Sequence, residues 1–345
     1  MSPRDDVQVL VTTTNVTEEA LAIMADTGVR IATAPYTEPR EDRLLRRAGR
    51  GSELAPAQLS AELRQALQEA EIIFSSDLPS DLPTLAPRLK WVQYQGAGID
   101  QFGAGSGTGI WESDITITTI GGFNARAIAE FVLGLMLLRS RRFDGYLDAQ
   151  ARRMWQRLPG GSLEGQTVGV VGLGRIGTET ARLCKGFGMQ VVANRRRAAG
   201  VPPPNVDRIF DRGGLEEMLP LCDFVVLCAP MTPETHRMFG KREFGLMKPT
   251  SMFINVARGP LVDEDALVEA LRDGSIGGAG LDVFDEEPLS AENRLWEVPN
   301  LIVTPHASAA ITGYPLQAAT EFAENLRRYV AGEPLMNIVD RSRGY

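Results

Sequence analysis

The chain has 345 residues, 43% of them hydrophobic and 23% charged, with 36 basic and 44 acidic side chains and a formal net charge of −8. That length supports two domains with cores of their own, and the acidic balance offers no overall attraction to nucleic acid or to an anionic membrane surface. The most apolar stretch, 128–138, carries Glu130 and is too short to cross a bilayer, and the N-terminus lacks the pattern of a secretory signal, so the expectation is a cytoplasmic protein without membrane or nucleic-acid partners.

Apolar runs at 7–13, 29–34 and 71–76 read as strands and alternate with helical periodicity at 17–28 and 59–70, a parallel α/β rhythm. Between them, 38–56 is charged and broken by glycine, and it reads as an exposed, solvated loop. Residues 91–100 read as a strand running into glycines, and 103–109 (GAGSGTG) as a turn, since it lacks the Lys-Ser/Thr pair of a phosphate loop. A strand at 115–120 precedes a long apolar helix over 124–142, which opens the second domain.

The run VGVVGLGRIG at 168–177 has the form of a strand, a glycine turn and a helix start. In that form Gly172 permits the tight turn, Gly174 lets the backbone approach a pyrophosphate, and Gly177 lets helix and strand pack closely. A helix at 178–188 and a strand at 189–197 complete a βαβ unit. Further apolar strands at 222–230, 250–259, 279–284 and 301–306 end in polar or glycine-containing tips, with helical periodicity at 263–274 and 318–334. A sheet that starts near residue 120 leaves the last of these helices without a place, so it is expected to pack back on the first domain.

Cys184, Cys222 and Cys228 fall in helix or strand contexts without metal-ligand spacing, as buried thiols of a reducing compartment do. With only His236 and His306 in the chain, a multi-histidine metal site is excluded and no metal is expected. His236 reads as a peripheral residue. His306, Arg258 and Glu287 sit at the tips of three different strands, which brings an imidazole, a fixed cation and a carboxylate to one sheet edge. These are the parts that hydride transfer to a carbonyl needs: Arg forks onto a substrate carboxylate, His gives a proton to the developing alkoxide, and Glu orients the imidazole and favours its protonated form.

The chain resembles the D-2-hydroxyacid dehydrogenase family over nearly its whole length, and most closely from residue 91 onward. The matching pieces are QGAGID (95–100), NARAIAE (124–130), VGVVGLGRIG, CAPMTPETH (228–236), MKPTSMFINVARGPLVDEDAL (247–267), GAGLDVFDEEPL (278–289), TPHAS (304–308) and the tail from 324. The resemblance implies two doubly wound parallel-sheet α/β domains, with a Rossmann cofactor domain (121–306) inserted in a flavodoxin-like substrate domain (1–120 and 307–345). It implies Arg258 as substrate anchor, Glu287 as partner of the histidine and His306 as general acid–base, with Gly96, Ala97 and Gly98 gripping the substrate carboxylate. Cofactor contacts carry over to Gly172, Gly174, Arg175, Ile176, Gly177, Ala229, Pro230, Thr235, Ala257 and Asp282, the last reaching the nicotinamide amide. A homodimer formed through the cofactor domains is also implied, in which Trp155 either approaches the partner's active site or is an ordinary packing aromatic.

One position departs from the commonest family pattern. Where an acidic residue would bond the adenosine ribose stands Asn194, followed by Arg195, Arg196 and Arg197. A carboxylate there would repel a 2′-phosphate, whereas guanidinium groups pair with it, so NADP(H) is expected as the preferred cofactor, with NAD(H) as the second choice. The expected activity is reduction of a small 2-oxo acid, glyoxylate or hydroxypyruvate first, to the D-2-hydroxy acid. The rivals are a phosphoglycerate dehydrogenase-like enzyme and a nucleotide-sensing scaffold similar to the C-terminal-binding corepressors. A formate dehydrogenase of this fold would carry glutamine beside its histidine, which Glu287 opposes.

Overall fold

The computed structural model describes residues 7–47, 50–96, 98–197 and 201–344. The chain divides into two compact units, Met1–Phe123 with Ile311–Tyr345, and Asn124–Ala310.

In the first unit the short apolar runs become strands β1 (Gln8–Val11), β2 (Arg30–Thr33), β3 (Ile72–Ser75), β4 (Trp91–Tyr94) and β5 (Thr116–Thr119), all parallel in the order β2-β1-β3-β4-β5. Strands buried on both faces must be apolar on both. Leu10, Ile73, Val92 and Ile117 accordingly point to one core, and Val9, Ile72, Phe74 and Trp91 to the other. Helix Glu18–Ala25 starts on Thr17 and helix Ala61–Glu69 on Ser60, each hydroxyl accepting a first-turn amide. The second core is closed by the C-terminal helix Tyr314–Ala331, whose Phe322 stacks on Phe74 with ring centroids 4.7 Å apart. This strand order reverses beside β1, and Thr12, Thr13, Ser75 and Ser76 lie at the carboxyl ends next to the reversal.

The charged segment 38–56 is not the solvated loop that its composition indicates. It forms helix Arg40–Arg47 and a 3-10 turn at Gly51–Glu53, and Glu38 and Arg46 are buried at 5% and 4% exposure. Arg46 pairs with Glu38 through Nε, and donates to the carbonyls of Ser106 and Leu78 and to Ser80 Oγ. Burial raises the Glu38 carboxyl against the opposing pull of Arg46 and pushes the neighbouring Tyr36 phenol up to about 12. Partners 32 to 60 residues away decide the burial, and nothing in the local charge pattern announces them.

The second unit holds β6 (Thr167–Val171), β7 (Gln190–Asn194), β8 (Arg208–Phe210), β9 (Phe224–Leu227), β10 (Met252–Asn255), β11 (Gly278–Leu281) and β12 (Leu301–Val303), parallel in the order β12-β11-β10-β9-β6-β7-β8. The order reverses between β6 and β9, where helix Arg175–Gly186 departs. Val168 and Val170 face Val132 and Met136 of helix Phe123–Ser140, while Val171, Val225, Leu227 and Phe253 face the opposite core. Several elements escaped the sequence reading: β8, helix Phe143–Ala151 and helix Lys241–Leu246. Each is short or polar, so its apolar period is weak. The strand read at 189–197 stops at Asn194, which leaves the arginine run beyond it, and the strand read at 91–100 stops at Tyr94. Cys222 caps a 3-10 turn rather than lying in a helix or strand, yet burial pushes both its thiol and that of Cys184 up to about 12.

Candidate active site

The glycine turn after β6 is tightly braced. Gly172 has φ +97°, and a Cβ there would lie 2.6 Å from Ala229 N; a Cβ on Gly177 would lie 2.1 Å from Gly172 O. Only glycine fits either place. Gly172 N also donates to Asn194 O at 2.9 Å, so the turn, the end of β7 and Ala229 meet at one point. Gly174 caps helix Arg175–Gly186 without a side-chain bond, and the space where its Cβ would stand is open. A helix N-terminus whose capping residue has no side chain fits a dinucleotide pyrophosphate. Arg175 and Ile176 begin that helix, and Pro230 and Thr235 lie on the loop after β9, which Thr235 Oγ1 closes by donating to Pro230 O at 2.7 Å.

Asn194 is 5% exposed and its amide donates to Asp211 O, so it ties β7 to the loop after β8. Arg195 is partly buried and Arg196 exposed. A cation that the sequence reading passed over stands with them: Arg212 donates to Glu234 O at 3.1 Å, and both Arg212 and Arg196 help to hold the Glu234 carboxyl below its usual range, behind its bond with Thr232.

Three turns at the carboxyl ends of β10, β11 and β12 carry Arg258, Glu287 and His306. The first is shaped by Asn255, fully buried, whose Oδ1 accepts from Ala257 N at 3.0 Å and whose Nδ2 donates to Arg258 O at 2.9 Å. The Arg258 guanidinium donates to Ala257 O at 2.7 Å. Gly259 then lies against the second turn so closely that a Cβ would stand 1.9 Å from the Phe284 carbonyl carbon. In that second turn Glu287 Oε1 accepts from Phe284 N at 3.0 Å, and its Oε2 lies 2.8 Å from His306 Nδ1. A carboxylate on Nδ1 sets the ring's orientation and leaves Nε2 as the atom that gives or takes a proton.

His306 has φ +52°, a left-handed conformation that carries backbone strain in a non-glycine residue. Asp282 holds it there. Fully buried, Asp282 accepts from Thr304 Oγ1 at 2.7 Å and Ala307 N at 2.8 Å through Oδ1 and from Ser308 N at 2.9 Å through Oδ2, while its carbonyl accepts from His306 N at 2.8 Å. Both carboxylate oxygens therefore bond the turn that presents the imidazole. His236 is exposed, away from these bonds.

Gly96 and Gly98 lie in the other unit, after β4, where a Cβ on Gly96 would meet the Tyr94 ring at 2.3 Å; Ala97 lies outside the described residues. Sequence reasoning missed Asn255, Gly259 and Arg212. The first two stand inside INVARG (254–259), so the signal was present as a motif but not as a mechanism. Among the described residues no group of three or more His, Cys, Asp or Glu is placed to hold a metal ion, and no helix is long and apolar enough to cross a membrane.

A family model described as "D-isomer specific 2-hydroxyacid dehydrogenase, NAD binding domain" matches residues 133–308. The chain is 36% identical over 265 residues to a glyoxylate reductase of Thermococcus gammatolerans, which covers 74% of this chain and 78% of that protein. It is 32% identical over 299 residues to a D-3-phosphoglycerate dehydrogenase of Methanocaldococcus jannaschii, covering 84% of this chain but only 55% of that longer protein. Among solved structures, an NADPH-dependent glyoxylate/hydroxypyruvate reductase from Sinorhizobium meliloti, in complex with NADP and sulfate, superposes with a TM-score of 0.78 at 27% identity, covering 98% of this chain and all of that one. The fold of two parallel-sheet units is thus that of solved 2-hydroxyacid dehydrogenase structures, and the chain belongs to the D-isomer specific 2-hydroxyacid dehydrogenase family of oxidoreductases.

Proposed function

We propose that the protein is an NADP(H)-preferring reductase of a small 2-oxo acid, with glyoxylate and hydroxypyruvate the first substrates to test and the D-2-hydroxy acid the product. The observation that carries this reading is the Glu287–His306 contact of 2.8 Å beside the Arg258 turn, in the same unit as the glycine cradle. Gly172, Gly174 and Gly177, with the first turn of helix Arg175–Gly186, would hold the pyrophosphate, and Arg195 and Arg196 the 2′-phosphate. When bound, the reduced nicotinamide supplies the hydride for the keto carbon. His306 donates the balancing proton from Nε2 to the keto oxygen, and Glu287 stabilises the imidazolium from which it leaves. Arg258 pairs with the substrate carboxylate and draws electron density toward the carbonyl oxygen.

The unit Met1–Phe123 with Ile311–Tyr345 is read as the substrate domain and Asn124–Ala310 as the cofactor domain. A homodimer is supported by exposed apolar side chains on and after helix Phe143–Ala151, with Phe143, Leu147 and Trp155 at 55%, 61% and 102% exposure. Cytoplasmic residence fits the three free cysteines. The similarity to the Methanocaldococcus jannaschii protein supports 3-phosphohydroxypyruvate as a second candidate substrate.

The test is kcat/KM for a panel of 2-oxo acids with NADPH and with NADH, repeated for Arg195→Ala and Arg196→Ala. One charge-assisted contact to the phosphate is worth about 1.5–3 kcal/mol, so each variant is expected to lose roughly ten- to a hundredfold of NADPH preference. An unmodified chain that prefers NADH overturns the cofactor assignment. Cofactor binding with no turnover of any 2-oxo acid favours the nucleotide-sensing scaffold.

A further inference from the structure

The carboxyl edge of the five-stranded sheet carries a chain of polar side chains with no role in the chemistry above. After β1, Thr13 Oγ1 lies 3.4 Å from Ser76 Oγ, which stands after β3; Ser76 Oγ in turn donates to Gln95 Oε1 at 2.5 Å, directly after β4. Tyr314 anchors the same residue through its backbone, its hydroxyl donating to Gln95 O at 2.6 Å. Burial pushes that phenol up to about 12, so it remains a donor at neutral pH. Gln95 is thus fixed at its backbone and at its side-chain oxygen. Its Nε2 donates to no described residue, and Ser76, Gln95, Gly96 and Gly98 are all partly open to solvent.

A glutamine oriented in advance, with two amide hydrogens unused, is a receptor for an oxygen acceptor, and ordering it by Ser76 removes the rotamer entropy that binding would otherwise cost. Because the hydroxyls donate along the chain toward Oε1, they polarise the amide and strengthen its N–H groups as donors. We propose that Gln95 is the specificity-determining residue for the third carbon of the substrate: its amide receives an oxygen on that carbon, so the enzyme favours 2-oxo acids hydroxylated there over their deoxy counterparts. Thr13 and Ser76 act as positioning residues through Gln95. The inference rests on the 2-oxo acid reductase reading and on Gly96 and Gly98 as the carboxylate grip, which places the amide one residue from the group that fixes the substrate.

Hydroxypyruvate and pyruvate differ by this one oxygen. The experiment is the ratio of kcat/KM for hydroxypyruvate to that for pyruvate, measured with NADPH in the unmodified chain, Gln95→Leu and Ser76→Ala. A ratio cancels losses common to both substrates, such as partial misfolding. The unmodified chain is expected to favour hydroxypyruvate by about tenfold or more, Gln95→Leu to bring the ratio down about tenfold, and Ser76→Ala to bring it part of the way. Turnover of both substrates with the same ratio in all three proteins overturns the assignment of Gln95 and leaves the reductase reading intact, as does an unmodified chain that prefers pyruvate. A chain that reduces no 2-oxo acid overturns both.

Discussion

Asp282→Asn probes how the imidazole is held. In the native turn three bonds to a carboxylate, from Thr304 Oγ1, Ala307 N and Ser308 N, are together worth about 4.5–9 kcal/mol at about 1.5–3 each. They work against about 1–3 kcal/mol of strain at His306, whose φ is +52°. Asparagine keeps one acceptor oxygen. Placed where Oδ1 stood, it retains two neutral bonds worth about 0.5–1.5 kcal/mol each, roughly what the strain takes back, and turns an N–H toward Ser308 N, a buried donor that then costs about 1–3 kcal/mol unpaired. The turn thereby loses its native geometry by about 1–3 kcal/mol, and the fraction of molecules with His306 in place falls roughly ten- to a hundredfold. The assay is single-turnover reduction of glyoxylate with NADPH, beside the cofactor dissociation constant. Reduction is expected to slow by one to two orders of magnitude while cofactor affinity changes less. Weakened cofactor binding with an unchanged rate would refute the reasoning and assign Asp282 to the nicotinamide amide instead.

His306→Ala should lower kcat by about 10²–10⁴ and leave NADPH binding intact, as measured by fluorescence titration; an active variant removes the imidazole from proton transfer. Gly177→Ala sets a methyl group 2.1 Å from Gly172 O and should weaken NADPH binding about tenfold or more, whereas an unchanged dissociation constant means that the turn is not the pyrophosphate site. Burial raises the Asp285 carboxyl above its ordinary value of 3.8 despite the neighbouring Arg237. The folded protein therefore holds this proton more tightly than the unfolded chain; the resulting stability is complete below that ordinary value and is lost as pH rises through the raised one. The Tm of Asp285→Asn relative to the unmodified chain should increase across that window, and a difference that falls with pH contradicts the assignment.

The sequence by itself determined the features that are local along the chain. Valine runs followed by glycines at fixed spacing dictate a strand and a close turn wherever they occur, so the parallel α/β rhythm, the βαβ unit and the family were legible from residues adjacent in order. Arg258, Glu287 and His306 could be named from their strand tips and Glu287 paired with His306, but which atoms meet, Oε2 and Nδ1, is set by two turns that lie 19 residues apart. Tertiary structure alone decided which polar groups are buried. Glu38 and Arg46 look like part of a solvated run until Leu78, Ser80 and Ser106 close over them. Asp282 is bonded through both carboxylate oxygens by Thr304, Ala307 and Ser308, 22 to 26 residues on, and no local pattern announces those bonds. Gly259 looks like one glycine among 35 until the Phe284 backbone arrives against it. In each case the energy of a buried polar or closely packed group is set by its spatial neighbours, and those are supplied by strands whose order in the sheet is not their order in the chain.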